Sequence, residues 1–332
     1  MLRLGKQGVG EVLLTLMFLI VVPTTFLFLG NPIVEHASLS RADRQVSLSY
    51  FVGARACDNG CTLRELKDAV DLSVVIPAFN EEKRLPIMLS KAVPFLNEWS
   101  SQENKTYEIL VSDDHSTDGT VNYVLGVAET DSHYRLLSLG RNCGKGGAVR
   151  RGVQYARGHY ILMVDADGAT EISDMLKLWN SLQFLQRVDI DGRVMGMAVG
   201  SRAHLEKKSI TTRSWIRTVL MRGFHFLVTI LCTRNIRDTQ CGFKLFTRRT
   251  ARVLFTNLHL EGWTFDIDII FMAEKLGIPI SEVAVRWHEV EGSKLIQNKF
   301  DIIVTSIRMA RDMLCLRIAH FAGIWKIYPR SD

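Results

Sequence analysis

A disulfide framework is missing from this chain of 332 residues: its six cysteines, at 57, 61, 143, 232, 241 and 315, are scattered. That excludes a small cross-linked secreted domain and favours a reducing compartment. Cys57 and Cys61 in CDNGC form the one close pair, without a second pair or histidines at zinc spacing, so the stretch reads as a surface loop. Internal repeats and low-complexity tracts are also absent. The glycine-rich CGKGGAVRRG fits neither G-x-x-x-x-G-K-[ST] nor G-x-G-x-x-G, which removes support for an NTPase or a dinucleotide enzyme. Basic residues are not interleaved with exposed aromatics in a recognisable module, so nucleic acid is not an expected partner. Charge of either sign is absent from Val12 to Gly30, a run long enough to span a bilayer as a helix. Its length and bulky end favour a retained anchor over a cleaved signal peptide. Arg3 and Lys6 precede the run while Arg41 and Arg44 follow it, so charge does not set its orientation.

What is present describes a globular chain. A hydrophobic content of 47% supplies a core, and the net charge of +6 suits a membrane surface or a phosphorylated substrate. After the anchor at 1–30, residues 31–70 read as a linker with a short helix at TLRELKDAV. From residue 71 apolar runs alternate with amphipathic segments: LSVVIP then 85–98, YEILVSDD then 118–129, YRLLSLG then 146–157, HYILMVD then 173–187. Four such units predict an α/β fold, a mostly parallel sheet with helices on both faces, over 71–290. A fifth strand at VMGMAVGS follows, and short strands at GFKLF and EVAVRW flank a helix at 264–276. The segment 209–232 is apolar but carries Arg213, Arg217 and Arg222, which predicts a helix in the membrane interface; the alternative is a core helix with snorkelling arginines. Within 291–332, residues 300–325 carry Arg308, Arg311 and Arg317 among aliphatics and predict a second interfacial helix.

In an open parallel sheet, ligands bind beyond the carboxyl ends of the strands. Asp165 and Asp167 in YILMVDADGAT share one side of an extended chain at that edge, and like charges there call for a cation. Hard oxygen ligands select Mg²⁺ or Mn²⁺. Glycines followed by a helix start place Lys145 near a nucleotide or its phosphates. Asp113 and Asp114 offer acceptors to a base or ribose, while Asp118 and Thr120 read as helix caps. Arg202, Lys207, Lys208, Arg213, Arg217 and Arg222 form a basic cluster against the single Glu206; Arg202 reads as a phosphate ligand, and Arg213 and Arg217 as phosphate or headgroup ligands.

Taken in order, SVVIPAFNEEKRLP, GKGGAVRRG, DADGAT, GSRAHLEKKSI, RDTQCGFKLFTR, GWTFDIDII and EVEGSK resemble the family-two glycosyltransferases, more closely those acting on dolichyl phosphate, over about residues 72–320. The resemblance implies a GT-A (Rossmann-like) fold, a UDP-glucose donor, a dolichyl phosphate acceptor, inversion at the anomeric carbon and attachment to membrane lipid; a homo-oligomer is compatible with it. By the same resemblance Pro77, Ala78, Asn80, Glu81 and Asp114 line the uridine side with Lys145, and Asp165 and Asp167 hold the metal. Arg202 faces the acceptor phosphate, joined by Arg213 and Arg217, and Asp266 lies across the cleft near the sugar. The catalytic set is then Asp167, Asp266 and Arg202. The family implies an endoplasmic-reticulum anchor, single-pass, with the catalytic body in the cytosol. Two positions depart from the pattern: His115 where relatives carry glycine, and Gly262 where they carry arginine. A polyprenyl-phosphate mannosyltransferase using GDP-mannose is the alternative within enzymes, and an inactive nucleotide-sugar-binding scaffold the alternative outside them.

Overall fold

The computed structural model describes residues 48–52, 55–57, 69–185, 187–188, 192, 194–205, 215–290 and 299–329. The expected anchor at 1–30, residues 62–68 of the expected linker helix, and Arg213 lie outside them, while Val70 already belongs to a strand. Among the described residues no helix is long and apolar enough to cross a membrane.

Four β-α units appear where the alternation predicts them. Strand β3 (Val70–Ala78) leads to α1 (Leu85–Glu103), β4 (Tyr107–Asp113) to α2 (Thr120–Thr130), β5 (Tyr134–Leu139) to α3 (Gly144–Tyr155), and β6 (Gly158–Val164) to α4 (Met175–Leu185). Along β3 successive residues serve opposite layers. Leu72, Val74 and Ile76 pack with Leu89 and Leu96 of α1, whereas Val75 packs with Val149 of α3 on the other face. Period-two alternation of fully buried aliphatics is what a sheet covered on both sides requires, each buried side chain contributing about 1.5–3 kcal/mol.

The sheet continues through elements whose pairing the sequence does not declare. In the stretch read as a linker, β1 (Leu48–Val52) and β2 (Arg55–Cys57) form an antiparallel hairpin, and β1 pairs with β5 from Leu48↔Leu139 to Val52↔Arg135. Cys57 is therefore a strand residue, not part of a surface loop. The hairpin covers an edge that β5 would otherwise leave open. A small antiparallel pair, β7 (Arg187–Val188) and β8 (Val194–Met195), precedes β9 (Met197–Ser201). Helix α5 (Trp215–Leu231) then leads to β10 (Phe243–Thr247), α6 (Arg248–Thr256), α7 (Phe265–Lys275), β11 (Ile280–Ala284) and α8 (Lys299–Phe321). The nine-stranded order is β11-β9-β10-β6-β3-β4-β5-β1-β2. Strand β10 runs antiparallel between β6 and β9, with Phe243 opposite Val164. Because of that reversal, the residues before β10 arrive at the same edge as the residues after β6.

A third apolar cluster joins Val228 of α5, Ile267 and Phe271 of α7, and Met313, Leu316 and Ala319 of α8. Helix α8 also carries a second stripe, Ile307, Leu314, Ile318 and Phe321, that stays exposed. Thr264 Oγ1 donates to Asp312 Oδ2 at 3.0 Å, tying α8 to the start of α7.

Candidate active site

Strand order reverses around β3, and the polar loops after β3, β4, β5, β6 and β9 converge beside that crevice. The loops after β3 and β4 are laced together by hydrogen bonds. Ser116 Oγ accepts from Asn80 N at 2.8 Å, Asn80 Oδ1 accepts from Thr117 N at 2.8 Å, and Thr120 Oγ1 accepts from Glu81 N at 2.8 Å. Asn80 and His115 both take left-handed backbone, with φ of 54° and 66°. Asn tolerates that conformation; His115 carries the usual cost of about 1 kcal/mol, which the surrounding hydrogen bonds offset.

Asp114 lies at the floor of this loop pair, where its Oδ1 accepts from Cys143 N at 2.6 Å. Burial pushes its carboxyl up to about 6, opposed by the N–H groups of Cys143 and Gly144. Asp114 is therefore an anionic acceptor above that pH and a neutral acid below it. The resulting expectation is that UDP-glucose affinity, titrated without acceptor, falls below about pH 6 and that Asp114→Asn removes this dependence. A flat profile between pH 5 and 8, spanning that value, would contradict this role.

Across the crevice, Asp165 and Asp167 follow β6 with buried Ala166 between them. Asp167 Oδ1 accepts from Ala169 N at 3.0 Å, which fixes the turn. Burial and the neighbouring Asp165 raise the Asp167 pKa above the ordinary carboxylate range. Lys145, at the start of α3, sets Nζ 2.7 Å from Asp165 Oδ1. Burial opposes its charge, yet Asp165, Asp266 and Asp167 together raise its pKa above the usual lysine value. Arg84, held by Glu81 through bonds of 2.7 and 2.6 Å, also faces Asp167 and Asp165. Exposed Trp263 stands 5.8 Å from Lys145 Nζ at the rim.

Two expected site residues carry charged partners that the sequence does not declare. Asp266 does not present a free carboxylate to an open cleft: it is buried at the first turn of α7 and ion-paired with Lys244 Nζ, which also donates to Cys241 O at 2.6 Å. Burial pushes the Asp266 carboxyl up, and Lys244 and Lys145 oppose that. Arg202 is not an uncommitted phosphate ligand either. Its Nε and Nη2 donate to Asp238 at 2.7 and 2.9 Å, and its guanidinium lies 5.6 Å from the Trp287 ring centre. That pair raises its pKa against the opposing effect of burial, and Asp165 contributes from across the site. Arg217 falls within α5, and Arg213 lies outside the described residues.

Lys244 is completely buried in a strand, a place lysine occupies only when paired. Lys244→Met should destabilise the protein by about 3–5 kcal/mol, because Asp266 is left with an uncompensated charge. The double change Lys244→Met with Asp266→Leu should recover most of that loss in denaturant titrations. Equal losses in the single and double variants would contradict the pairing.

The chain from residue 73 to residue 255 matches the model of glycosyl transferase family 2. It is 48% identical over 273 residues to a dolichyl-phosphate beta-glucosyltransferase of Dictyostelium discoideum, covering 80% of each chain. The human protein of the same name is 46% identical over 259 residues, covering 77% of this chain and 78% of its own. The chain belongs to the dolichyl-phosphate beta-glucosyltransferases of glycosyl transferase family 2. The fold agrees with a solved structure of glucosyl-3-phosphoglycerate synthase from Mycobacterium tuberculosis in complex with Mn²⁺, UDP-glucose and phosphoglyceric acid. That likeness has a TM-score of 0.50 and 20% identity, over 79% of this chain and 85% of the other.

In this family-two glycosyltransferase the structure brings together Asn80, Glu81, Asp114, Lys145, Asp165, Asp167 and, behind them, Asp266. Gly242 was missed by sequence reasoning. A β-carbon built there would overlap the Asp165 carboxylate, so any other residue at the start of β10 would push that carboxylate aside. Glu261 was missed as well: it accepts from Arg150 Nη1 at 2.9 Å, and its carbonyl accepts from Gly147 N at 3.1 Å, which seats α3. Gly262, beside it, has open space around its Cα, so the missing side chain at that departure leaves no packing defect. A glycine directly ahead of an apolar run was the one available signal for Gly242.

Proposed function

We propose that the enzyme transfers glucose from UDP-glucose to dolichyl phosphate with inversion, forming dolichyl β-D-glucosyl phosphate. The observation that carries this reading is the Asp165/Asp167 pair closed over by Lys145 at the reversal of strand order, in a chain nearly half identical to enzymes of that name. Two hard carboxylates of like charge, one with its pKa raised, fit a divalent cation, Mg²⁺ or Mn²⁺. Bound there, the ion supplies positive charge to the diphosphate as it departs. Lys145 adds its own cation to the same oxygens, at a helix N-terminus that favours anions. Asp114 and the Asn80 loop hold the nucleoside end.

The acceptor is a phosphate monoester whose second pKa is about 6, so it attacks already ionised and needs no strong general base. Asp266, neutralised by Lys244, accordingly orients the sugar or acceptor instead of removing a proton. Arg202, fixed by Asp238, keeps Nη1 outside that pair for the acceptor phosphate. Arg213 and Arg217 are assigned in this proposal to the acceptor phosphate or to lipid headgroups. The exposed apolar stripe of α8 and Phe226 and Ile230 of α5 support a helix pair resting in the membrane interface, flanked by exposed Arg308 and Arg317. An anchor in the endoplasmic-reticulum membrane with the catalytic body in the cytosol completes the proposal. Asn104 of Asn104-Lys105-Thr106 is exposed at the end of α1, so a lumenal domain would be open to glycosylation there. No glycosidase-sensitive mass shift is expected, and a shift would reverse the placement.

Donor and stereochemistry are tested together by incubating the purified full chain with dolichyl phosphate and either UDP-glucose or GDP-mannose. The expected product forms from UDP-glucose and carries the β-anomeric proton signature in NMR. Transfer from GDP-mannose instead, or an α-linked product, would overturn the proposal.

A further inference from the structure

Apart from the Asp165/Asp167 pair, three chain segments bring metal-ligating side chains beside the third apolar cluster. His259 lies in the loop after α6, Asp268 on α7 and His320 at the end of α8, and all three are buried. Their donor atoms lie within 4.8 Å of one another. We propose that His259, Asp268 and His320 form a structural binding site for a divalent transition-metal ion, most suitably Zn²⁺, which fastens the C-terminal helix α8 to the catalytic body.

The disposition of the ligands supports this. Asp268 is fully buried, and Oδ2 already accepts from His259 N at 2.8 Å and Leu260 N at 3.0 Å. Those two bonds hold the carboxylate rigid and shape the loop that carries His259. Its other oxygen, Oδ1, is buried without a hydrogen-bond partner. Both ring nitrogens of His320 are buried without a partner as well, on a side chain only 7% exposed. An imidazole with two orphaned nitrogens and a carboxylate oxygen in the same state are costly in an apolar setting unless something coordinates them. His259 Nδ1 lies 3.9 Å from Asp268 Oδ2, and the two imidazoles meet edge to face with ring centres 5.1 Å apart. Trp325 stacks on His259 at 4.6 Å and closes the outer side.

A tetrahedral zinc ion with bonds near 2.0–2.1 Å brings its ligand atoms to about 3.3 Å apart, so side-chain rotations closing the gaps by at most roughly 1.5 Å suffice. Two imidazoles and one carboxylate are a borderline donor set that suits zinc better than magnesium. The ligand set is also separate in chemistry from the catalytic pair, which offers carboxylates alone. Because Asp268 and His259 belong to the body and His320 to α8, the bound ion would restrain the helix that carries the exposed apolar stripe.

The test uses the purified full chain, produced in zinc-supplemented medium and dialysed against a weak chelator, with metal content read by inductively coupled plasma mass spectrometry. The double variant Asp165→Ala/Asp167→Ala removes the catalytic carboxylates, and it should still retain about one zinc ion per chain. Adding His320→Phe to that variant should remove the ion. Zinc-free double variant, or unchanged zinc content after His320→Phe, would overturn the proposal. Should the His320 variant fail to fold, Co²⁺ replaces zinc as the probe in the double variant. Intense visible ligand-field bands of tetrahedral cobalt, lost on adding excess Zn²⁺, are expected, and the weak spectrum of hexaaqua cobalt would contradict the site.

Discussion

Asp165→Asn is expected to lower kcat/KM for glucosyl transfer by at least about a hundredfold while leaving the fold intact. The substitution keeps the shape of the side chain and removes its charge. In the native site that charge faces Lys145 Nζ at 2.7 Å and shares a small volume with Asp167. Without it, the carboxylate pair loses half of its attraction for a divalent cation, and Lys145 loses the anion that orients it. Donor affinity measured by calorimetry with Mn²⁺ should weaken in parallel, since the same charges hold the diphosphate in the ground state. Circular dichroism and melting temperature should barely change, because Asp165 is partly exposed and Lys145 keeps Asp266 and Asp167 as counter-charges. Unchanged turnover in a folded variant would separate the pair from the reaction.

Gly242→Val should cost about as much, through geometry instead of charge. Strand β10 enters the sheet antiparallel, so its first residues pass directly against the end of β6. A β-carbon at 242 occupies the space of the Asp165 carboxylate, and the carboxylate must rotate away. Displacing a ligand by roughly 1 Å is enough to lose about a hundredfold in rate. The expected signature is a raised metal requirement together with the lost turnover, with partial recovery at high Mn²⁺. Wild-type metal dependence in Gly242→Val would show that Asp165 tolerates the displacement and would contradict its role.

These two residues also mark the boundary of what the sequence declares. The β-α rhythm from residue 71 is written in local periodicity, since each unit's strand and helix are neighbours in the chain. The polar loops after β3, β4, β5 and β6 are legible for the same reason, and with them Asn80, Asp114, Lys145, Asp165 and Asp167. Strand direction is a different matter. The run FKLF looks alike whether it pairs parallel or antiparallel, so nothing local announces that Gly242 will lie against Asp165. Long-range charge pairs are equally silent: Lys244 and Asp266 are 22 positions apart, and Arg202 and Asp238 are 36 apart. Each partner reads alone as an available ligand, so the sequence places Asp266 and Arg202 near substrate without naming Lys244 or Asp238 beside them. The hairpin of β1 and β2 was hidden by its brevity, because five- and three-residue strands carry too few alternations to stand out from a linker.

The central claim is that the Asp165/Asp167 pair, with a divalent cation, drives transfer from UDP-glucose to a phosphate-bearing lipid. Its most direct measurement follows labelled glucose from UDP-glucose into dolichyl phosphate, using wild type and Asp167→Ala, each with Mg²⁺, Mn²⁺ or EDTA. Labelled lipid formed by wild type with metal, abolished by EDTA and absent in the folded variant, is the predicted result. Labelling that persists in EDTA or in Asp167→Ala, or none from folded wild type that still binds the nucleotide, would contradict it.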